Sequence, residues 1–443
     1  TMAYKIKILL IALIVPVALF SQTQQFSLQQ ALDYGINNNP LVKSAGLDVQ
    51  NAHVTVNNRI SSGLPQVDIS VDYQNFFQLP TSLIPAEFFP DGEPGEFIPV
   101  QFGTEQNLTA GISASQLIFN GAWFVGISAA KEYVSLVTSQ KELTENEVKK
   151  NVEFAYYSVL VGKEFEKLLQ KNITNLSKVQ FEISEMHKQG FVEQIDVDRL
   201  TISKTTLDGQ LQNAKRQTVL ATNLLKYSIG LDMNTAIELT DSLNMMNRNV
   251  ALNPSDQNYL TRPEFNILNK TITLNEFNVR LNKAMYLPTL ALYATYSENA
   301  QRNSFNFFDG SEPWFETGLV GVKMQIPVFS GFQRKTTLQA AQIGLEKAQL
   351  DLTNATQGIM LEIETAKTNY LNAQTDLETQ NKNIELAQKI YDTALIKYRE
   401  GVGSSIELNN AESTLYMAQG NYINALFNLL NAQINLNKSL GYY

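Results

Sequence analysis

Landmark residues of this chain recur at a fixed distance, more than two hundred positions on. Pro40, Pro65 and Tyr73 are matched 223 positions later by Pro263, Pro288 and Tyr296. Gly111 and Gly121 return as Gly321 and Gly331, an offset of 210. Gly190, Ile195 and Gly230 return as Gly401, Ile406 and Gly441, an offset of 211. Solenoid units run only to about 50 residues, so this period marks a duplicated half-protein. Each half reads as helix, strand, long loop, strand, very long helix, Gly-marked turn and long helix. The expected halves are 22–230 and 261–443, joined by a segment, 231–260, with no long hydrophobic period.

Lys5 and Lys7 precede an apolar run from Ile8 to Phe20 that closes on Ser21-Gln22. A basic start, a short apolar stretch and a small residue at the cut predict a secretory signal peptide over residues 1–21. Its 13 apolar residues are too few to span a bilayer as a helix. The sequence has no Cys, so disulfides and a lipid-anchoring cysteine are not expected. Without residues 1–21, 32 basic face 43 acidic residues, a net charge of −11, and no nucleic-acid partner is expected. An exported chain with no spanning helix is either soluble or inserted as a β-barrel.

Four stretches alternate with period two. In 66–73, Val67, Ile69, Val71 and Tyr73 oppose Gln66, Asp68, Ser70 and Asp72. In 108–119, Leu108, Ala110, Ile112 and Ala114 oppose Thr109, Gly111, Ser113 and Ser115. In 289–296, Leu290, Leu292, Ala294 and Tyr296 share a face, and in 318–329 so do Val320, Val322, Met324, Ile326 and Val328. Such alternation suits a half-buried strand of a soluble sandwich or a transmembrane β-strand. Two features favour the membrane: the polar faces mix acid and base with Gly and Ser, as a watery lumen tolerates, and the strands are too dispersed to make a soluble sheet alone. The strands of each pair are joined by long connections, 74–107 and 298–317, which are uncommon inside compact domains but usual on outer-membrane barrels. Four strands cannot close a barrel, which needs about eight, so the barrel must be shared among copies, and a trimer supplies twelve.

After Gly331 the apolar positions keep a 3-4 spacing through Ile363, Ala366, Tyr370, Ala373 and Leu377. The last helix repeats it with alternating large and small residues: Leu408, Ala411, Leu415, Ala418, Tyr422 and Ala425. Val152, Ala155, Val159 and Leu200, Leu207, Leu211 do the same in the first half. Seams sustained this long mean coiled-coil packing, and a helix over 125–188 would run roughly 90 Å. Pro65 and Pro288 stand where helix yields to strand, since proline cannot continue a helix and pushes its predecessor toward extended backbone.

Taken together, Ser27-Leu28-Gln29-Gln30-Ala31-Leu32 with Asn38-Asn39-Pro40, then Arg262-Pro263-Glu264, Leu64-Pro65-Gln66, Leu287-Pro288-Thr289, Pro327-Val328-Phe329-Ser330-Gly331 and the ending Asn437 to Gly441 resemble the TolC family of outer-membrane efflux proteins. The resemblance covers essentially all of the chain after the signal peptide. It implies a mixed α and transmembrane β fold: a homotrimer whose long coiled-coil helices form an α-barrel crossing the periplasm beneath a shared 12-stranded β-barrel in outer-membrane lipid. It further implies a passive export duct, loaded by a periplasmic adaptor and an inner-membrane pump, with no cofactor.

On the resemblance, the turns Gly190-Phe191-Val192 and Gly401-Val402-Gly403-Ser404 are adaptor-docking tips, and glycine there also serves simply to turn the chain. Glu407 matches an acid that related channels place in a constricting ring, which on a three-fold axis concentrates negative charge. The second acid of that pattern falls on Asn410, and its nearby Arg on Gly403. Tyr398 matches the aromatic of the closed-state network, while Asp196 and Arg199 are the first-half equivalents of Glu407 and Asn410. A solvated surface charge is the plainer reading of each. His53 and His187 stand in helical patterns without an acidic partner at metal spacing, no Gly-rich phosphate loop follows a strand, and neither catalysis nor a resident metal is expected. Multidrug-type efflux is the leading expectation. Polypeptide (type I) secretion or metal efflux through the same architecture, or a non-channel structural coiled-coil trimer, are the alternatives.

Overall fold

A computed structural model describes residues 24–243 and 258–443; the signal peptide expected over 1–21 and part of the joining segment 231–260 lie outside the described residues. The elements run β1 (Gln24–Phe26), α1 (Leu28–Asn38), α2 (Pro40–Ser61), β2 (Gln66–Asn75), β3 (Thr81–Pro85), β4 (Phe97–Gln101), β5 (Gln106–Asn120), α3 (Gly121–Lys188), α4 (Gln194–Ile229) and β6 (Ile237–Leu239). There follow α5 (Pro263–Ala284), β7 (Thr289–Arg302), β8 (Phe315–Gln325), α6 (Gln333–Arg399) and α7 (Ser405–Ser439). Equivalent helices of the two halves nearly agree in length: 22 and 22 residues for α2 and α5, 68 and 67 for α3 and α6, 36 and 35 for α4 and α7. The chain divides into two compact units, Thr1–Asp48 with Thr138–Ile267 and Thr353–Tyr443, and Val49–Val137 with Leu268–Leu352.

The first unit is helical. Ser27 opens α1 through a capping box with Gln30, so the Ser-Leu-Gln-Gln motif is a helix-start signal. The seams expected from the 3-4 spacing are buried: Val152, Ala155, Val159, Leu200, Leu207, Leu211, Leu408, Ala411 and Leu415 all lie in the core. Small residues let helices close up; a methyl at Gly162 would lie 2.7 Å from the Thr218 hydroxyl on α4. The duplication extends to individual hydrogen bonds. Asn39 Nδ2 donates to the Ser228 carbonyl at 2.7 Å, and Arg262 Nη1 donates to the Ser439 carbonyl at 3.3 Å. Both donors precede the proline that opens α2 or α5, and both acceptors lie just before a left-handed glycine, Gly230 (φ 73°) or Gly441 (φ 75°). Arg262 also pairs with Glu264 at 2.7 Å and Glu362 at 2.9 Å, and Lys438 pairs with Glu362 at 2.8 Å. The short β1 and β6 form a parallel ladder, and the Asp241 carboxylate fastens its neighbourhood by accepting from the Leu28 amide at 2.8 Å and the Tyr156 hydroxyl at 2.9 Å.

The second unit holds a four-stranded antiparallel sheet in the order β2-β5-β7-β8. Its lower end is set by the two prolines. Gly63 and Leu64 amides close α2 on Ile60 and Ser61, the Tyr286 and Leu287 amides close α5 on Lys283 and Ala284, and Pro65 or Pro288 then releases the chain into strand. Gly121 starts α3 close against the end of α5, where a methyl would lie 2.6 Å from Leu287 Cδ1 and displace that side chain. The strands run further outward than alternation alone marks: β2 reaches Asn75, β5 begins at Gln106, and β7 continues to Arg302. The connections shorten to 76–105, which contains the β3–β4 hairpin, and 303–314. The last strand ends at Gln325, short of the expected 329, because Pro327 lacks an amide donor and holds Ile326 out of the ladder.

Candidate functional site

The sheet register puts the alternating apolar residues of all four strands on one side. Val67, Ala114, Ala294 and Val320 form one cross-strand row, and Ile69, Ile112, Tyr296 and Gly318 the next. The opposite side carries rows such as Asp68, Ser113, Thr295 and Leu319, or Ser70, Gly111, Ser297 and Thr317. Val67, Ile69, Val71, Val320, Val322 and Met324 are exposed although apolar. The two outer strands, β2 and β8, each pair on one side only. Aromatic residues bracket the sheet. Tyr73, Phe305 and Phe307 cluster edge-to-face at its outer end, and Phe119, Trp123 and Phe124, with Phe329 and Phe332, lie at the helix-strand junction. Among the described residues no helix is long and apolar enough to cross a membrane.

The two helix tips have the same backbone. The Phe191 amide donates to the Met186 carbonyl at 3.0 Å and the Val402 amide to the Lys397 carbonyl at 3.0 Å, each around a left-handed glycine, Gly190 (φ 80°) or Gly401 (φ 73°). Their flanks differ. In the first tip His187 Nδ1 donates to the Val192 carbonyl at 2.9 Å. In the second, Ser404 caps α7 by accepting from the Glu407 amide at 3.1 Å. Phe191 and Val402 are exposed, and Gly403 turns beneath them with its amide on the Lys397 carbonyl at 3.0 Å.

Of the residues expected at a gate, three meet. The Tyr398 hydroxyl points at Asp196 Oδ2 at 3.5 Å, Asp196 lies 3.7 Å from Arg199, and Arg199 Nη1 donates to Ser405 Oγ at 2.7 Å. Burial, reinforced by the Asp196 carboxylate, pushes the Tyr398 hydroxyl up to about 12, so it remains a donor at any physiological pH. Glu407 stands apart from this trio: Lys397 Nζ, from the last turn of α6, holds its Oε1 at 2.9 Å. Asn410 is exposed on α7. A further tie joins α6 to α3, Arg399 to Glu182 at 2.7 Å. Sequence reasoning missed Lys397 and Glu182, whose partners lie on other helices at no fixed spacing.

It also missed Glu412, which is 1% exposed. Its Oε1 accepts from the Tyr416 hydroxyl at 2.8 Å, while the buried Oε2 has no partner. Burial raises its pKa, against the lowering effect of Tyr416 and Ser203. A charge next to a small-residue seam was the available signal. Among the described residues no group of three or more His, Cys, Asp or Glu could hold a metal.

Known proteins resemble this arrangement. Residues 268–442 match the family model described as outer membrane efflux protein. The alkaline protease secretion protein AprF of Pseudomonas aeruginosa is 24% identical over 176 residues, which is 39% of this chain and 35% of AprF. The chain thus spans about a third of that relative. The probable efflux pump outer membrane protein TtgC of Pseudomonas putida is 21% identical over 369 residues, covering 81% of this chain and 72% of TtgC. The crystal structure of the Campylobacter jejuni CmeC outer membrane channel superposes with a TM-score of 0.72 at 17% identity, covering 94% of this chain and 85% of CmeC. That likeness bears on the fold.

Proposed function

This chain belongs to the outer membrane efflux protein family, and on that premise we propose that it is the outer-membrane duct of a tripartite export system, conducting small molecules passively. The observation that carries this reading is the sheet with two open edges. β2 and β8 run in opposite directions, so the free edge of one copy meets that of the next as another antiparallel pair. Three copies then close a 12-stranded barrel with no unpaired strand, the only kind of sheet a bilayer accepts. The exposed apolar side faces lipid between two aromatic girdles, and the Asp-, Ser- and Thr-bearing side faces the lumen. The long helices of the first unit, with their buried small-and-large seams, build the periplasmic α-barrel of the trimer.

The tips at Gly190-Phe191-Val192 and Gly401-Val402-Gly403-Ser404 are where a periplasmic adaptor docks, and an inner-membrane pump supplies the energy. Tyr398, Asp196 and Arg199 bind the ends of α4, α6 and α7 to one another, and Glu407 with Asn410 belongs to the periplasmic gate, its charge offset by Lys397. Small-solute cargo is favoured over polypeptide because the similarity to TtgC extends over 81% of the chain and that to AprF over 39%.

The test is to fractionate the outer membrane, run it unheated and boiled on SDS gels, and record the purified protein in planar bilayers. A heat-dissociable trimer with discrete conductance is expected. A monomer in the soluble fraction that opens no channel would overturn the reading and leave a structural coiled coil. Photo-crosslinking from Ser404 in cells should then capture a periplasmic adaptor.

A further inference from the structure

The connection 76–105 is not a slack loop. It holds a two-stranded ribbon in which Leu83 opposes Pro99, Ile84 opposes Ile98 and Pro85 opposes Phe97. Ribbon side chains alternate between faces, and here both faces are apolar. Ile84, Ile98 and Val100 are half-buried on one, while the other is bare: Leu83 is 66% and Phe97 60% exposed. Phe77, at the root of the ribbon, is wholly exposed. An isolated two-stranded ribbon is marginal in water at best, so a ribbon with a bare apolar face calls for a cover. Pro80, Pro85, Pro90, Pro94 and Pro99 stiffen the segment, which lowers the entropy lost when it docks.

Topology says what that cover is. The ribbon is rooted on Asn75, the last residue of the edge strand β2, and on Gln106, the first of β5. Gln106 is the register partner of both Asn75 and Arg302, so the connection 303–314 emerges at the same end of the sheet. It leads into Phe315, the exposed first residue of β8, the opposite edge. When the free edge of β2 meets β8 of the next copy, the ribbon stands beside the start of that copy's β8. Packing ribbon on ribbon at the three-fold axis is disfavoured, because each carries Glu87, Asp91, Glu93, Glu96 and Glu105 and no basic residue. The start of β8 also carries acids, Glu312 and Glu316, but unlike the ribbon it has a cation beside them, Arg302, which donates to the Pro313 carbonyl at 2.7 Å. Phe315 and the half-buried Trp314 are apolar, and Asp309 is engaged by its own loop through the Ser311 amide at 3.0 Å and hydroxyl at 2.7 Å.

We propose that the β3–β4 ribbon is an inter-copy strap: its Leu83, Phe97 and Pro99 face packs on Trp314 and Phe315 of the neighbouring copy and ties the outer mouth of the barrel together. This rests on the shared-barrel reading above. The partner is a second copy of this chain, reached across the β8-to-β2 seam.

The absence of Cys from the sequence makes the test clean. Two differently tagged single-cysteine forms, Leu83→Cys and Phe315→Cys, are co-expressed, oxidised in the outer membrane and run boiled without reductant. Phe97→Cys replaces Leu83→Cys in a second pairing. A disulfide forms only when the two Cα atoms come within about 7 Å, so a band carrying both tags reports the strap. Alongside, Ile69→Cys on β2 is paired with Leu319→Cys, Val320→Cys or Val322→Cys on β8 to report the seam. Mixed-tag bands in both sets are expected. Seam bands with no strap band in either pairing would overturn the strap while leaving the barrel intact. Failure of the seam set would overturn the shared barrel, and the strap with it. As a second measurement, replacing 79–102 by a short Gly-Ser turn should lower the temperature at which the trimer dissociates in SDS; an unchanged temperature would count against the strap.

Discussion

Glu412 is a buried carboxyl group with no cation beside it, and replacing it with Gln should stabilise the protein in a pH-dependent way. The groups that face it are Ser203 on α4, Tyr391 on α6 and Tyr416 on its own helix, with Asp392, Arg399 and Glu182 arrayed around Tyr391. Burial, then the charge on Glu412, pushes the Tyr391 hydroxyl up to about 12, and the Tyr416 hydroxyl is raised for the same two reasons. None of the three neighbours is a cation. Burial lifts the Glu412 carboxyl above its ordinary 4.5, so the folded chain binds this proton more tightly than the unfolded chain does. That contribution to stability is full below pH about 4.5 and is lost as pH rises through the folded value. Glu412→Gln keeps an oxygen for the Tyr416 hydroxyl and removes the charge. A buried group left unsatisfied costs about 1–3 kcal/mol. The amide nitrogen of the variant meets the same cost as the carboxylate oxygen it replaces, so the gain comes from removing the charge: higher stability at pH 8 and none at pH 4, below the ordinary carboxyl value. Thermal unfolding of the detergent-solubilised protein, followed by helical circular dichroism at both pH values, reads the difference as a higher melting point at pH 8 only. An equal shift at both pH values, or a variant that loses stability as pH rises, would refute the reasoning.

Three further outcomes follow from named contacts. Arg262 is 2% exposed and holds Glu264, Glu362 and the Ser439 carbonyl, so Arg262→Ala, which unpairs that carbonyl but leaves part-exposed acids beside Lys438, should cost about 1–3 kcal/mol in denaturant unfolding. Burial would raise the pKa of Glu264 and of Glu362, but Arg262 and Lys438 override it and hold both below 4.5; their contribution is present above that value and lost on acidification, and Arg262→Ala should flatten the acid limb of stability. Gly401→Ala forces a side chain into φ 73° and should destabilise the second tip by about 1–2 kcal/mol, seen as faster local hydrogen exchange at 397–405. Lys397→Ala unpairs Glu407 and should raise the cation preference of the reversal potential in bilayers, an effect that Glu407→Gln added to it should abolish.

The parts of this fold that were legible in the sequence are those with a strong period. The 3-4 seams are buried where spacing puts them, because a helix fixes which residues share a face. The apolar faces of four dispersed strands fall on one side of one sheet, because period-two alternation survives any register that keeps that side apolar. Strand ends were harder: beyond Tyr296, Ser297-Glu298-Asn299-Ala300-Gln301-Arg302 loses the alternation while its backbone goes on pairing with Gln106 to Gly111. The β3–β4 ribbon hid in a Pro-rich segment, and the parallel β1–β6 ladder, three residues each, carries no period at all. At the tips, glycine announced the turns, but the contacts around the gate depend on which turn of one helix faces which turn of another. Lys397 was one lysine among many until packing set it 2.9 Å from Glu407.

The duplication explains why the backbone and the side-chain contacts near the tips differ so much in legibility. Positions related by the repeat keep what the fold demands of both halves: left-handed Gly190 and Gly401, the donors Asn39 and Arg262, the acceptors Ser228 and Ser439. Positions related by the same offset have diverged where side chains meet. His187 in the first half contacts its own tip at Val192, whereas Tyr398, its counterpart, reaches across to Asp196 in the other half. Arg199 likewise crosses to Ser405, while Asn410, its counterpart, is left exposed. Two identical hairpins would each bond the other in the same way, so neither could move without its equivalent moving alike. With the ties unequal, the α6–α7 pair hangs on α4 through Tyr398 and Arg199 and on itself through Lys397 and Glu407. Cutting the first set loosens the α6–α7 pair from α4 while Arg399 still ties it to Glu182 of α3, and cutting the second changes the charge it presents. That separation between holding the hairpin and setting its charge is available to a duplicated chain only after its halves have stopped being equivalent.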